Sequence, residues 1–289
     1  MPAVRIRRRK SVALASAAVL AGLAVPALTP ATAGASAPAQ EAPAHEAPAA
    51  QGRVAAVAAP AAYADYYEGA EGKTGEALKS ALHSIVSDQT KLSYSAVWNA
   101  LKETDEDPSN SGNVILLYSG ASRSKSLNGG DVGDWNREHV WAKSHGDFGT
   151  STGPGTDIHH LRPSDVQVNS IRGNKDFDNG GSTVTNGGGS LTDSDSFEPR
   201  DAVKGDVARM ILYMAVRYEG TDGWPDLEPN DSVSNGSAPY IGKLSVLKEW
   251  HEQDPPDSFE QRRNDVIFES YQHNRNPFID HPEWVEAIW

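Results

Sequence analysis

From about Tyr63 onward the chain shows regular patterning. In TGEALKSALHSIVSDQ, the apolar residues Ala77, Leu78, Ala81, Leu82, Ile85 and Val86 recur at helical spacing, which predicts an amphipathic helix. SYSAVWNALKE predicts a second, capped by Ser93 or Ser95. NVILLYS (113–119) is a short apolar run with strand character, and REHVW (137–141) follows the turn SLNGGDVGD as a candidate second strand. Ser164 and Gln167 have capping-box spacing, which predicts a short helix over 165–172 that stops at Gly173. The Gly/Ser/Asn segment 178–190 reads as a surface connection. It leads into the strongly apolar helix DAVKGDVARMILYMAVRYEG, on which Arg209 is expected to pair with Asp206 or Glu198. Helical stretches near 240–252, 258–272 and 281–288 complete the pattern, with Trp135, Trp141 and Trp250 expected in the core. The fold class is α+β, mainly helical, in a single domain over 63–289.

The first 62 residues have a different texture. Arg5, Arg7, Arg8, Arg9 and Lys10 precede an Ala/Val/Leu run and the triplet Ala31-Thr32-Ala33, the make-up of a secretory signal peptide over 1–33. The apolar run is short of the ~20 residues a spanning helix needs, so the mature protein is expected to be secreted with no membrane anchor. Residues 34–62 are Ala/Pro/Glu-rich with no aromatic residue, a composition that leaves little to bury, and are expected to be a disordered linker or pro-segment. The whole chain carries a formal charge of −13, and the leader removes five cations and no acid, which leaves 21 Lys+Arg against 39 Asp+Glu. There are no cysteines, which excludes disulfides, thiolate metal sites and a cysteine nucleophile.

The common enzyme signatures are absent: there is no HExxH helix and no GxSxG elbow. Gly72-Lys73-Thr74 lacks the upstream glycine of a phosphate loop, since that position is Tyr67. What remains is two polar islands, DWNREHVWAKSHG (134–146) and DIHHLRPSDVQVNSIRGNKDF (157–177). Histidine titrates near neutrality, and carboxylate and amide oxygens are hard ligands suited to magnesium or calcium. Together they fit metal-assisted hydrolysis of a phosphodiester. A zinc site using His159 and His160 is the lesser alternative, because adjacent residues on an extended segment point to opposite faces. The same geometry poses a difficulty for Glu138 and His139: their strand must end or twist there if both are to serve one site.

These islands, with FEPRDAVKGDVARMILYMAVRYEG and the closing RNPFIDHPEWVEAIW, closely resemble the bacterial endonuclease I family of periplasmic and extracellular nucleases over roughly residues 75–289. The resemblance implies a ββα-metal (His-Me finger) core. It implies His139 as general base, with Glu138 and Asn169 holding one divalent cation, normally Mg2+ with Ca2+ or Mn2+ as alternatives. Arg172, in Asn169-Ser170-Ile171-Arg172, is implied as a phosphate or product contact. Arg162 stands in for an arginine that some relatives carry in the connection after the histidine, and His160 supports the site. The expected activity is internal cleavage of DNA, and of RNA as well, by a monomer, with little sequence preference and 5′-phosphate ends. The acidic balance argues the other way, since nucleic-acid binders usually display a basic patch. Residues 135–175 nevertheless hold five Lys/Arg against four acids. The rival readings are an extracellular ribonuclease of the same family and a non-catalytic secreted protein with a structural cation.

Overall fold

The computed structural model describes residues 61–289. The leader expected over 1–33 and the linker over 34–62, save its last two residues, lie outside the described residues. Helix α1 (Gly75–Val86) forms as its pattern predicts, but its buried stripe is narrower: Leu78, Leu82 and Val86 are buried while Ala77 is exposed. Lys79 is buried too, because its ammonium pairs with Glu219 and Glu228. Helix α2 (Val97–Thr104) has Ala96 at its N-cap with no side-chain cap, so neither Ser93 nor Ser95 holds that position; Ser93 Oγ instead accepts the Ala96 N–H at 3.2 Å in the turn before the helix.

Strands β1 (Glu106–Asp107), β2 (Asn110–Ile115) and β3 (Ser122–Ser124) form an antiparallel sheet. The strand expected over 113–119 therefore starts earlier and ends at Ile115. Beyond it the chain turns at Gly120, whose N–H returns to the Leu116 carbonyl, and buries Leu116, Leu117 and Tyr118 outside any ladder. Strands β4 (Trp135–His139) and β5 (Leu161–Asp165) pair antiparallel over their full length, from Trp135 opposite Asp165 to His139 opposite Leu161. Helix α3 (Val166–Arg172) follows β5 without a loop. Its N-cap is Asp165, not Ser164: Asp165 Oδ1 accepts from the Gln167 and Val168 N–H groups at 2.9 and 3.2 Å. The helix stops, as expected, at Gly173, whose φ of 61° suits glycine.

The Gly-rich segment is more than a connection. Strands β6 (Asp176–Phe177), β7 (Ser182–Thr183), β8 (Leu191–Thr192) and β9 (Ser196–Glu198) make a small sheet in the order β6-β9-β8-β7. Helix α4 (Lys204–Arg217) is buried from Gly205 to Arg217, its apolar residues in the core and its charged ones met by ion pairs. Its Arg209 pairs chiefly with Glu260, with Asp206 at 3.9 Å, while Glu198 holds Lys204. Strands β10 (Glu228–Pro229) and β11 (Tyr240–Ile241) pair in parallel and lead to α5 (Leu244–Gln253). Helix α6 (Ser258–Val266) runs on through one π-turn at Ile267–Tyr271, and α7 (Pro277–Asp280) and α8 (Trp284–Ile288) follow. The fold class is α+β.

Two apolar clusters hold these elements. The larger gathers α1, α4, α5 and the C-terminal helices around Tyr67, Trp141, Trp250 and Phe278; the smaller packs α2 and β2 on Trp135, Ile158, Leu161 and Ile267. A fully buried side chain of this size contributes ~1.5–3 kcal/mol, so each cluster is an anchor of several such increments. Strand β4 joins the smaller cluster through Trp135, and the chain enters the larger one directly after the strand, through Val140 and Trp141. The polar residues 136–139 are thereby pinned at the seam between two rigid bodies of packing.

Candidate active site

Along WNREH the period of two sends Arg137 and His139 to the Trp135 face and Asn136 and Glu138 to the other. Helix α3 covers the second face. There Asn169 Nδ2 donates to Asn136 Oδ1 at 2.7 Å, which leaves the Asn169 amide oxygen without a donor among the described residues. Glu138 is buried, and its Oε1 accepts from Tyr118 OH at 2.8 Å and from Arg172 NH1 at 3.0 Å. Its other oxygen has no donor among the described residues. Burial pushes the Glu138 carboxyl up, opposed by Arg172 and the Tyr118 hydroxyl.

On the first face, His139 is 6% exposed and its Nε2 lies 3.2 Å from the Gly155 carbonyl. A carbonyl only accepts, so Nε2 carries the proton and Nδ1 keeps its lone pair, which no donor among the described residues engages. Burial, with His160, Lys143 and Arg137 nearby, holds the imidazole well below the usual histidine range, so it is neutral at neutral pH. Gly155 is a close approach: a Cβ there would sit 2.7 Å from the Gly149 carbonyl oxygen and 2.8 Å from Thr150 backbone atoms. Only glycine lets that loop bring its carbonyl to His139.

Both faces border one cleft of about 400 Å³, lined by Asn136, Glu138, His139 and Asn169 together with Tyr94, Trp98, Arg137 and Lys143. Strand β4 is bordered by β5 alone in its sheet and ends at His139, which is how adjacent residues come to serve one cleft. The difficulty raised by strand alternation is resolved in that way.

The structure thus brings Glu138, His139 and Asn169 together. His160 stands behind His139, ring centroids 5.6 Å apart, with Nδ1 accepting the Trp141 N–H at 3.3 Å and Nε2 donating to the Pro154 carbonyl at 2.8 Å. It is a brace with both nitrogens engaged. His159 is spent on Asn274 and on the Tyr213 ring, so the two histidines do not converge on a zinc site. Among the described residues no three His, Asp or Glu side chains converge as a metal-holding cluster.

The two arginines read as phosphate contacts are placed otherwise. Arg172 is buried, donates to the His139 and Val140 carbonyls at 2.8 and 2.6 Å as well as to Glu138, and lies over the Phe177 ring at 4.7 Å. It clamps the end of β4 and is absent from the cleft lining. Arg162 is 1% exposed, paired with Asp105 and Asp206, and absent from the cleft lining. Both positions follow from the same cause: a buried guanidinium needs partners for its donors, and inside the fold Arg162 finds two carboxylates and Arg172 one carboxylate and two carbonyls, with its Nε alone left over among the described residues.

Sequence reasoning missed Tyr118, Gly155, Tyr94 and Asn136. Asn136 was legible, since it shares Glu138's face by alternation. Tyr118 and the Gly155 carbonyl carry no local signal, because each reaches the site through long-range packing.

A cleft with a neutral, half-satisfied imidazole beside a carboxylate and an amide oxygen, on an α+β frame, fits a hydrolytic enzyme. The chain belongs to the endonuclease I family, whose sequence profile matches residues 74–283. It is accordingly a nuclease, a phosphodiester hydrolase. It is 73% identical over 237 residues, 82% of each chain, to a protein of Bacillus subtilis (strain 168) named extracellular ribonuclease. It is also 73% identical over 224 residues, 78% of each chain, to a protein of the same name from Bacillus amyloliquefaciens. No helix among the described residues is long and apolar enough to cross a membrane.

Proposed function

We propose that this chain is a secreted, divalent-cation-dependent endonuclease in which His139 activates water for attack on a backbone phosphodiester, within a ββα-metal core made of β4, β5 and α3. One observation carries the reading. His139, Glu138 and Asn169 line a single cleft, and His139 Nδ1, one Glu138 oxygen and the Asn169 amide oxygen each lack a partner among the described residues while the rest of the side chain is held.

The donor set fits magnesium, with calcium or manganese as alternatives. Magnesium is commonly held by one or two protein oxygens, with water and substrate phosphate completing its shell, and Glu138 and Asn169 each have one oxygen to give. When bound, the ion supplies positive charge opposite the charge that develops on the phosphoryl and departing oxygens. The protein's own part is proton handling and placement. His139 Nδ1 accepts a proton from water, and the resulting imidazolium stays oriented through Nε2 and the Gly155 carbonyl. Arg172 and Tyr118 hold Glu138 in one rotamer by occupying its other oxygen.

Water as nucleophile needs no ribose 2′-hydroxyl. The names of the relatives support RNA as a substrate and export as the destination, and the chemistry extends to DNA. Cleavage is internal, shows little base preference because backbone contacts position without specifying, and leaves 5′-phosphate and 3′-hydroxyl ends. The test is to incubate the purified protein with a structured RNA and with plasmid DNA, with magnesium and with EDTA. The DNA fragments are then offered to ligase without kinase. Cleavage abolished by EDTA, with ligatable ends, is expected. Ends that need kinase or phosphatase treatment would overturn water attack, and cleavage of RNA alone would narrow the reading to a ribonuclease.

A further inference from the structure

Arg137 sits on β4 two residues before His139, and its guanidinium borders the same cleft. It lies over the Tyr94 ring at 3.5 Å and the Trp98 ring at 4.0 Å, and its NH1 donates to the Tyr94 carbonyl at 2.5 Å. No carboxylate among the described residues pairs with it. That sets it apart from Arg162 and Arg172, which also lie on the β4–β5–α3 unit and whose charges are met by Asp105, Asp206 and Glu138.

We infer that Arg137 is a substrate-binding residue of this nuclease, and that its unpaired N–H groups grip a backbone phosphate of the nucleic acid beside the bond that is cut. The inference deepens the nuclease reading and rests on it. The guanidinium carries five donors in a planar fork that matches phosphate oxygens two at a time. One nitrogen is used on Tyr94, and the others have no partner among the described residues. The Tyr94 and Trp98 rings pack against the guanidinium and the Tyr94 carbonyl ties one nitrogen, so little rotamer freedom remains to be lost on binding. Because those ring faces carry the guanidinium, they are not platforms for a nucleobase, and the cleft is built to read backbone.

The charge of the cleft agrees. In a chain of net charge −13, Arg137 and Lys143 line it against Glu138 alone. Lys143 is exposed, and no acid among the described residues pairs with it. Its flexible ammonium adds attraction, whereas the stacked guanidinium adds placement. The two polyanion-facing cations that an acidic secreted nuclease needs are thus concentrated where the chemistry occurs.

The experiment measures binding apart from cleavage. A His139→Ala protein, alone and combined with Arg137→Met or Arg137→Lys, is titrated against a fluorescein-labelled single-stranded oligonucleotide by anisotropy across a salt series. Methionine keeps a long apolar side chain against Tyr94 and Trp98. The Met variant is expected to bind about 10-fold or more weakly, the loss of a charged hydrogen-bonded contact. Its log K against log salt slope is expected to flatten by about 0.7, one single-strand phosphate. The Lys variant is expected to keep the slope and lose affinity in part. In the otherwise native enzyme, Arg137→Lys is expected to raise KM several-fold more than it lowers kcat.

A folded Met variant with unchanged affinity and slope overturns the inference. Should the Met variant fail to fold, the Lys variant decides, and an unchanged KM and affinity overturn it equally. Failure of the parent protein to cleave anything would sink the nuclease mechanism while the binding slopes still report on Arg137.

Discussion

The two paired strands β4 and β5 are both polar, β5 buried throughout and β4 buried except at half-buried Asn136 and Arg137, yet they do opposite things. On β5 and the residues just before it, polar groups are met from inside. His160 uses both ring nitrogens, Arg162 is neutralised by Asp105 and Asp206, and Asp157 accepts from Gln89, Tyr213, Tyr218 and Gln272 side chains. On β4 each polar side chain is fixed by one atom and left open at another, as His139, Glu138 and Arg137 show. A buried polar group that is fully satisfied is part of the architecture, whereas one held firmly and left half-satisfied at a cleft is equipped to act on something else. Arg172 is the partial exception, since its Nε has no partner among the described residues, but it lies over the Phe177 ring and its other nitrogens are engaged.

The contrast is broken most severely at Arg162. Replacing it by Ala strands two buried carboxylates, and the expected loss is about 3 kcal/mol, the low end for breaking a buried ion pair. The low end applies because Arg263 still reaches Asp105 at 3.3 Å. Urea unfolding should show the loss in its midpoint, while the rate per folded molecule stays near that of the parent. A stable Arg162→Ala protein with greatly raised KM would return Arg162 to the substrate.

Acid sharpens the same contrast. Burial, the largest cause, lowers His159 and His160 from 6.5 to about 4. An unfolded histidine takes its proton near 6.5 and these take theirs only near 4, so stability is intact above pH 6.5 and falls as the pH drops towards 4. Each contributes on the order of 3 kcal/mol to that fall. Urea midpoints at steps from pH 7.5 to 4.5 test it, with His160→Gln expected to flatten the curve. A profile level across that window in the parent would contradict the buried, neutral state of both rings.

On the β4 side the effect is on rate. His139→Ala is expected to lower cleavage at least ~10²-fold, or about 2.7 kcal/mol of barrier, with little change in unfolding. Glu138→Ala and Asn169→Ala are expected to shift the magnesium titration to higher concentration. His160→Ala, by contrast, should leave that titration near its place. A native magnesium titration in Glu138→Ala would move the cation elsewhere.

How much of this was legible depended on how local the cause was. Periodicity located α1, α2, α4 and the last helices because their apolar spacing is set by the helix itself, and it located β4 and α3 within a residue or two. It overextended β2 because the run 113–119 is apolar throughout and only the strand partners decide where pairing ends. Glu138, His139 and Asn169 are grouped through the resemblance, and in the fold β4 carries the first two while α3, which follows its partner strand β5, carries the third. Arg172 and Arg162 are expected at the substrate from the resemblance, and sequence shows a charge but not its counter-charge. Asp105 lies 57 residues from its partner Arg162, and Glu138 lies 34 from Arg172.

The smallest expected effect concerns the cap of α3, where sequence pattern and structure disagree by one residue. The helix has seven residues, too few to be stable by itself, so its first turn depends on the cap and on packing of Val168. Asp165 Oδ1 accepts two N–H groups of that turn, and its Oδ2 pairs with Arg123 at 2.5 Å. Ser164 Oγ makes only a 3.4 Å contact with the Asp165 carbonyl. Asp165→Ala is therefore expected to cost about 1 kcal/mol, a typical cap loss, and Ser164→Ala a few tenths at most. Because Asn169 is carried on this helix, fraying of its first turn also loosens one of the two oxygens assigned to the cation. Asp165→Ala should need more magnesium for half-maximal cleavage while Ser164→Ala should not. Equal urea midpoints for the two variants, or a magnesium shift in the serine variant alone, would restore Ser164 as the cap and detach α3's start from the proposed cation site.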